Sequence, residues 1–218
     1  VEVVDALIQF SANVNPRSSA GSTPLMNACR HKNVKVVKLL IGHKALVTPC
    51  DDHGHSALTW AVTLREEEQM VGIREIRKPW PEDEDRAADL VDLLLPAAAQ
   101  EIFGLSRMTR KSSFLLAKGA SLPNATPEPE EINELVDPEM IAEVFTSLGS
   151  EAVPPLQHAV KQQSLYAALV MLEHGAPAMW LHDAVTVGSI DLVQALLGCN
   201  ADPADEDESG VNAIDLAV

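Results

Sequence analysis

Gly21-Ser-Thr-Pro-Leu-Met-Asn-Ala28 and Gly54-His-Ser-Ala-Leu-Thr-Trp-Ala61 are two versions of one local pattern, set 33 residues apart (54 − 21). Each has a glycine, then a hydroxyl residue suited to cap a helix, then an apolar helical start ending in alanine. Thr23-Pro-Leu is the clearer copy, because threonine caps well and proline is tolerated at the first helical position. A third relative, Gly210-Val-Asn-Ala-Ile-Asp-Leu-Ala217, ends 33 residues after Ala184 of Leu181-His-Asp-Ala184 (217 − 184). A fixed period of this length is the mark of a helical solenoid, in which each unit leans on its neighbours.

The best unit is 18–50. A short helix over about Pro24–His31 puts Leu25, Ala28 and Cys29 on one face. After a turn at Lys32-Asn33, a second helix over Val34–Ile41 turns Val34, Val37, Leu40 and Ile41 inward and Lys35 and Lys38 outward. Gly42 stops it. Neither helix is long enough to stand alone in water, so stacked neighbours must bury both faces. The sequence of helix, turn, helix and extended loop resembles the ankyrin repeat. The resemblance rests on Asp51…Gly54…Ser56-Ala-Leu58…Ala61, on Val36-Val-Lys-Leu-Leu40 and on Ala12-Asn-Val-Asn15. It continues in Pro154-Pro-Leu-Gln-His-Ala159, Leu172-Glu-His-Gly-Ala176 and Leu192-Val-Gln-Ala-Leu-Leu197. The fold expected is an all-α, ankyrin-type solenoid with irregular insertions.

One domain over 1–218 is expected, divided into a partial repeat 1–17, repeats 18–50 and 51–100, and a degenerate repeat 97–122. An insertion 123–152, repeats 153–177 and 178–206 and a partial repeat 207–218 complete it. The second repeat carries an inserted loop over about 65–85, rich in charge and proline, before a helix resumes at about Arg86–Leu95. The longer insertion holds one amphipathic helix, Pro138–Leu148, with an apolar stripe of Met140, Ile141, Val144, Phe145 and Leu148. Ala159 to Ala184 spans only 25 residues (184 − 159), which places a shortened turn near Pro177. The chain opens and closes inside apparent helices and reads as part of a longer protein.

Aromatic residues make up 4% of the chain, so leucine, valine, isoleucine and alanine must build the core. No apolar run has the roughly 20 residues of a membrane span. Three cysteines, Cys29, Cys50 and Cys199, form no CxxC pair, which favours a reducing, intracellular and cytoplasmic setting. The net charge is −16, and beyond Lys118 the only basic residue is Lys161. Such a field repels nucleic acid and anionic lipid and attracts basic protein surfaces.

No phosphate loop, nucleophile elbow, zinc-protease helix or dinucleotide fingerprint is present, and no catalytic residue or cofactor is expected. Cys50, His53 and His55 lie close in sequence but lack the fourth ligand of a tetrahedral zinc site. Asp205–Gly210 imitates the start of a calcium loop, yet Leu216 stands where the bidentate glutamate belongs. His158 and His182 have no partner that would make a catalytic base, and they are read as structural. What the resemblance implies is a concave binding face built from loop tips and inner-helix ends. Mapped here, these are Ser19, Ala20, Ser22, Arg30 and His31, then Asp52, His53, His55, Thr63 and Leu64. Trp60 is expected to pack between repeats. The function that follows is non-catalytic recognition of another protein, one with a basic surface. The alternative is a regulatory or substrate-recruiting arm of an enzyme whose catalytic domain lies outside these residues.

Overall fold

The computed structural model describes residues 1–63, 81–103, 143–145, 153–204 and 211–217. The described elements are α1 (Glu2–Gln9), α2 (Pro24–Arg30), α3 (Val34–Gly42), α4 (Ala57–Val62) and α5 (Pro81–Phe103). They continue as α6 (Pro155–Lys161), α7 (Leu165–Glu173), α8 (Leu181–Val187), α9 (Ile190–Gly198) and α10 (Ala213–Leu216). Among the described residues there is no strand, only an isolated antiparallel bridge between Cys50 and Ser56.

The helices form two stacked rows. The inner row runs α2, α4, α6, α8, α10, each against the next, and the outer row runs α3, α5, α7, α9. Each inner helix from α2 to α8 also packs on the outer helix that follows it, as in α2 on α3 and α4 on α5. One continuous core results. Leu25, Val37, Leu58, Leu90, Leu94, Leu156, Met171, Leu192 and Leu196 are buried in it, with alanines 57, 61, 159, 167 and 184 letting the helices approach. The architecture is an all-α helix-pair solenoid.

Local chemistry sets the helix starts. Thr23 caps α2 by accepting from the Met26 amide at 3.3 Å. Ser56, 33 positions later (56 − 23), does the same for α4 through Thr59 at 3.3 Å. Asn33 caps α3, Ser189 caps α9, and Asn212 caps α10 by accepting from Ile214 and Asp215. The chain turns out of its second helices through left-handed residues: Ser11 and Lys44 lie 33 apart, and Gly175 and Asn200 lie 25 apart. Links between units span fourteen residues at 10–23, 43–56 and 199–212, but only seven at 174–180.

α5 is longer than the helix expected at Arg86–Leu95. It begins at Pro81, inside the stretch read as a loop, and continues through Pro96 to Phe103. Proline suits a first helical turn, and Glu84 and Asp85 put negative charge near the positive end of the helix dipole. Pro96 removes one backbone bond, but Leu94, Leu95, Ala98 and Ala99 on either side are fully buried, and that packing carries the helix across it. Residues 97–103 of the expected degenerate repeat are therefore part of α5, and 104–122 lie outside the described residues. The α6–α7 pair stacks directly on α4 and α5. Of the helix read at 138–148, residues 143–145 are described and helical; Val144 is fully buried and Phe145 packs on the core.

Candidate concave binding face

Two loop tips share one construction. Ser18 Oγ accepts from the Ala20 amide at 3.3 Å and the Ser22 amide at 3.1 Å. Asp51, 33 residues on (51 − 18), places Oδ1 on the His53 amide at 3.0 Å and the His55 amide at 2.9 Å. A side-chain oxygen thus holds the amides two and four residues ahead, a local fold that Ser and Asp favour. The tips are joined in series. Asp52 N–H donates to the Ala20 carbonyl at 3.2 Å, and Val153 N–H donates to the Gly54 carbonyl at 2.9 Å. Ser19, Ala20, Asp52 and His53 are exposed along this edge, and Ser22 and His55 are half-buried.

Asp51 also anchors the tip to the helix behind it. Its Oδ2 accepts from the Trp60 indole N–H at 2.9 Å. Burial pushes this carboxyl up, but the His55 amide, the Trp60 indole and the His53 amide together outweigh it and hold the carboxyl below the usual range.

The inner helices carry a repeated diagonal contact. Aligned on Ala28, Ala61, Ala159 and Ala184, the residue before each alanine is Asn27, Trp60, His158 and Asp183. The residue two after it is Arg30, Thr63, Lys161 and Thr186. Each of the first three later residues touches the earlier residue of the next helix. The Arg30 guanidinium sits 5.1 Å over the Trp60 ring. Thr63 Oγ1 lies 2.9 Å from His158 Nε2. Lys161 Nζ stands 3.8 Å from Asp183 Oδ1, and Gln157 donates to Asp183 Oδ2 at 2.8 Å. One position of the repeat thus carries a cation–π contact, a hydrogen bond and an ion pair in turn.

The hydrogen-bond directions fix a tautomer. Thr63 donates its hydroxyl proton to the Thr59 carbonyl at 2.8 Å, so His158 Nε2 must carry the proton it shares with Thr63. The His55 ring lies 5.1 Å from Trp60, edge-on, and 5.5 Å from His158. Burial first, then the neighbouring His55, Lys161 and Lys32, push His158 down to about 4, so it is neutral at pH 7. Its bond goes to a side-chain hydroxyl across the α4–α6 junction.

Lys32 closes the far end. It is buried at a left-handed φ of 52°, and its Nζ donates to the Trp60 and Ala61 carbonyls at the C-terminal end of α4. A cation there also favours the helix dipole. Beneath it, burial pushes the Cys29 thiol up to about 12, only partly offset by Lys32, so it is inert as a nucleophile.

The sequence-derived residues fall into two groups. Ser19, Ala20, Ser22, Asp52, His53 and His55 lie on the tips; Arg30, His31 and Thr63 lie at the opposite ends of α2 and α4. Trp60 and His55 bridge the groups through Arg30 and His158. Leu64 and Asp205–Gly210 lie outside the described residues. Gln157, Lys161 and Asp183 were not singled out from sequence, although their register with Arg30 and Trp60 marks them. His182 keeps Nε2 buried with no hydrogen-bond partner among the described residues. Cys50 turns its Sγ toward the Thr48 carbonyl at 3.8 Å. Among the described residues, no group of three or more His, Cys, Asp or Glu side chains could hold a metal ion. No described helix is long and apolar enough to cross a membrane.

A stack of helix pairs with looped tips defines a repeat protein of the solenoid class. The family model for ankyrin repeats (3 copies) matches residues 1–71. Over 62 residues it is 39% identical to the probable E3 ubiquitin-protein ligase XBOS33 of Oryza sativa subsp. japonica. That match covers 28% of this chain and 12% of the rice protein.

Proposed function

We propose that this chain is a non-catalytic recognition module that binds another protein across its loop tips and the inner-helix ladder. Ankyrin repeats are in general protein-interaction modules, and the observation that carries the reading is the diagonal ladder itself. A purely structural stack needs only small or apolar residues at such positions. Here Arg30, Trp60, Thr63, His158, Lys161 and Asp183 present a varied polar and aromatic surface, the composition from which interface hot spots are drawn. The contact set is Ser19, Ala20, Ser22, Arg30, His31, Asp52, His53, His55, Thr63 and Leu64, extended by Trp60, Lys161 and Asp183.

The acidic second half, with a basic partner surface opposite it, gives salt-sensitive association inside the cell. Arg30→Ala and His53→Ala, both at exposed positions, are the test variants. In affinity capture from a native extract, each is expected to lose the proteins that the parent chain retains at low salt, with His53→Ala melting as the parent does and Arg30→Ala giving up at most the weak contact over Trp60. Retention of the same partners by both variants, or at high salt, would sink this reading.

A second reading has a specific support in the rice ligase relative: the repeats recruit substrate for a catalytic domain outside these residues. Incubating the full-length protein with ubiquitin, E1, E2 and ATP tests it. Chain formation supports the recruiting arm, and its absence across E2 classes removes it.

A further inference from the structure

On α6 a side-chain amide and a cation hold one carboxylate between them. Gln157 donates to Asp183 Oδ2 at 2.8 Å, and Lys161 Nζ stands 3.8 Å from Asp183 Oδ1. Both donors come from one inner helix, four residues apart (161 − 157), and the carboxylate comes from the next inner helix, α8. The same two chemistries stand on α2. Asn27 and Arg30 lie three residues apart (30 − 27), so their side chains share a face. Arg30 holds the repeat position of Lys161, two residues after the aligned alanine. What differs is the neighbour, because α4 offers Trp60 where α8 offers Asp183. Asn27 and Arg30 are exposed, and among the described residues neither side chain makes a hydrogen bond or an ion pair.

Trp60 prepares this pair for a ligand. The indole is fixed from behind, with its N–H on Asp51 Oδ2 at 2.9 Å and the His55 ring edge-on at 5.1 Å. The Arg30 guanidinium rests 5.1 Å over that fixed ring. A guanidinium seated over a ring keeps the N–H donors at its rim for another acceptor, and less side-chain freedom is lost when one arrives. The neighbouring cations are committed elsewhere. Lys161 is held by Asp183, and Lys32 donates to the Trp60 and Ala61 carbonyls. Lys32 thereby covers the negative end of α4, which would otherwise repel an anion beside Trp60.

We propose that Asn27 and Arg30, seated on Trp60, bind a carboxylate of the partner protein in the way that Gln157 and Lys161 bind Asp183. The inference rests on the reading of the inner face as the recognition surface, and it adds the chemistry that lies opposite the first step of the ladder. One guanidinium beside a neutral amide matches one negative charge, and the planar fork suits the two oxygens of a carboxylate. A phosphorylated side chain carries nearly twice that charge and is taken by clusters of cations, which this step lacks. With a basic partner surface facing the acidic second half, a carboxylate at Arg30 sets which way the partner lies along the stack.

Two short alanine peptides supply the carboxylate from its two sources. One is capped at both ends with a central glutamate, and the other is acetylated with a free C-terminus. Each is titrated into the whole nitrogen-15-labelled chain, with the Arg30 Nε–H and Trp60 indole N–H signals followed by NMR. Saturable shifts at both signals are expected from at least one peptide, and the stronger arm names the source. A capped peptide with glutamine in place of glutamate is expected to give none. Affinity should fall about tenfold in Arg30→Ala and by a smaller factor in Asn27→Ala and in Arg30→Lys, which keeps the charge but not the fork. Equal shifts from the glutamine peptide, no shift from either carboxylate, or unchanged affinity in Arg30→Ala would each overturn the proposal. So would a phosphoserine peptide that binds more tightly than both. Affinity capture from a native extract separates this inference from the reading beneath it. If Arg30→Lys retains every partner of the parent chain, the carboxylate fails and the recognition surface stands. If the parent retains no partner while the carboxylate peptides bind as expected, the site stands and the wider recognition reading fails.

Discussion

Gly21 shows how tightly the tips are built. Its φ is +72°, and a Cβ added there would meet Asp52 Oδ1 at 2.7 Å and the Asp52 backbone nitrogen at 3.1 Å. Both the left-handed backbone and the neighbouring tip exclude a side chain. Gly21→Ala is therefore expected to cost about 1–3 kcal/mol, read as a lower midpoint in urea. An unchanged midpoint would show that the tips move apart without cost. Asp51 makes the complementary case, since one carboxylate serves two amides and an indole. Asparagine can keep Oδ1 on the two amides but would turn an N–H toward the Trp60 indole N–H. Asp51→Asn should cost about 1 kcal/mol and Asp51→Ala about 2 or more, since charged acceptors contribute most. Indole emission from Trp60 should change in both. Equal losses would mean that the two amide bonds carry no weight.

At the scale of elements, the regular units were legible and the irregular ones were not. Thr23 and Ser56 are caps whose chemistry is local, so short sequence windows revealed them. Val37 and Leu40 lie inward for the same reason: a 3.6-residue period needs no tertiary knowledge. The full length of α5 was hidden because Pro81–Asp85 has loop-like composition and Pro96 looks like a stop, and only burial of Leu94, Leu95, Ala98 and Ala99 reverses that. The ladder contacts were hidden differently. Lys161 and Asp183 lie on separate helices, and their meeting depends on stacking. Glu101 is a further long-range example. From the end of α5 it accepts from Val47 N–H at 2.7 Å and Thr48 N–H at 3.1 Å, and it binds the Thr48 hydroxyl, tying the 45–50 segment down. Glu101→Ala is expected to cost about 2 kcal/mol. Its signature is faster amide exchange confined to Val47 and Thr48, and protection that persists at both amides would rule out the tie.

At the scale of the whole molecule, the stack is sensitive to acid at the junction that spans the longest break in the repeat pattern. His158 joins α6 to α4, and burial beside His55, Lys161 and Lys32 lowers it from 6.5 to about 4. The folded chain therefore refuses a proton that the unfolded chain accepts. Stability from this group is complete above pH 6.5, declines as pH falls toward 4, and has no further change below. Asp51 works in a separate, lower window. Its folded pKa lies below 3.8, so its contribution is intact above 3.8 and is lost as pH falls through the folded value. Protonation of the many exposed carboxylates relieves self-repulsion over an overlapping range and stabilises the fold, so a melting curve of the parent chain alone mixes opposite effects. The difference between the parent and His158→Gln separates them, because the surface charge is common to both. Glutamine can still donate to Thr63 but does not titrate. Melting temperatures of the two chains should converge as pH falls from 7 to about 4, with the parent losing more. Parallel curves across that range would show that His158 takes up its proton as readily in the stack as in the unfolded chain.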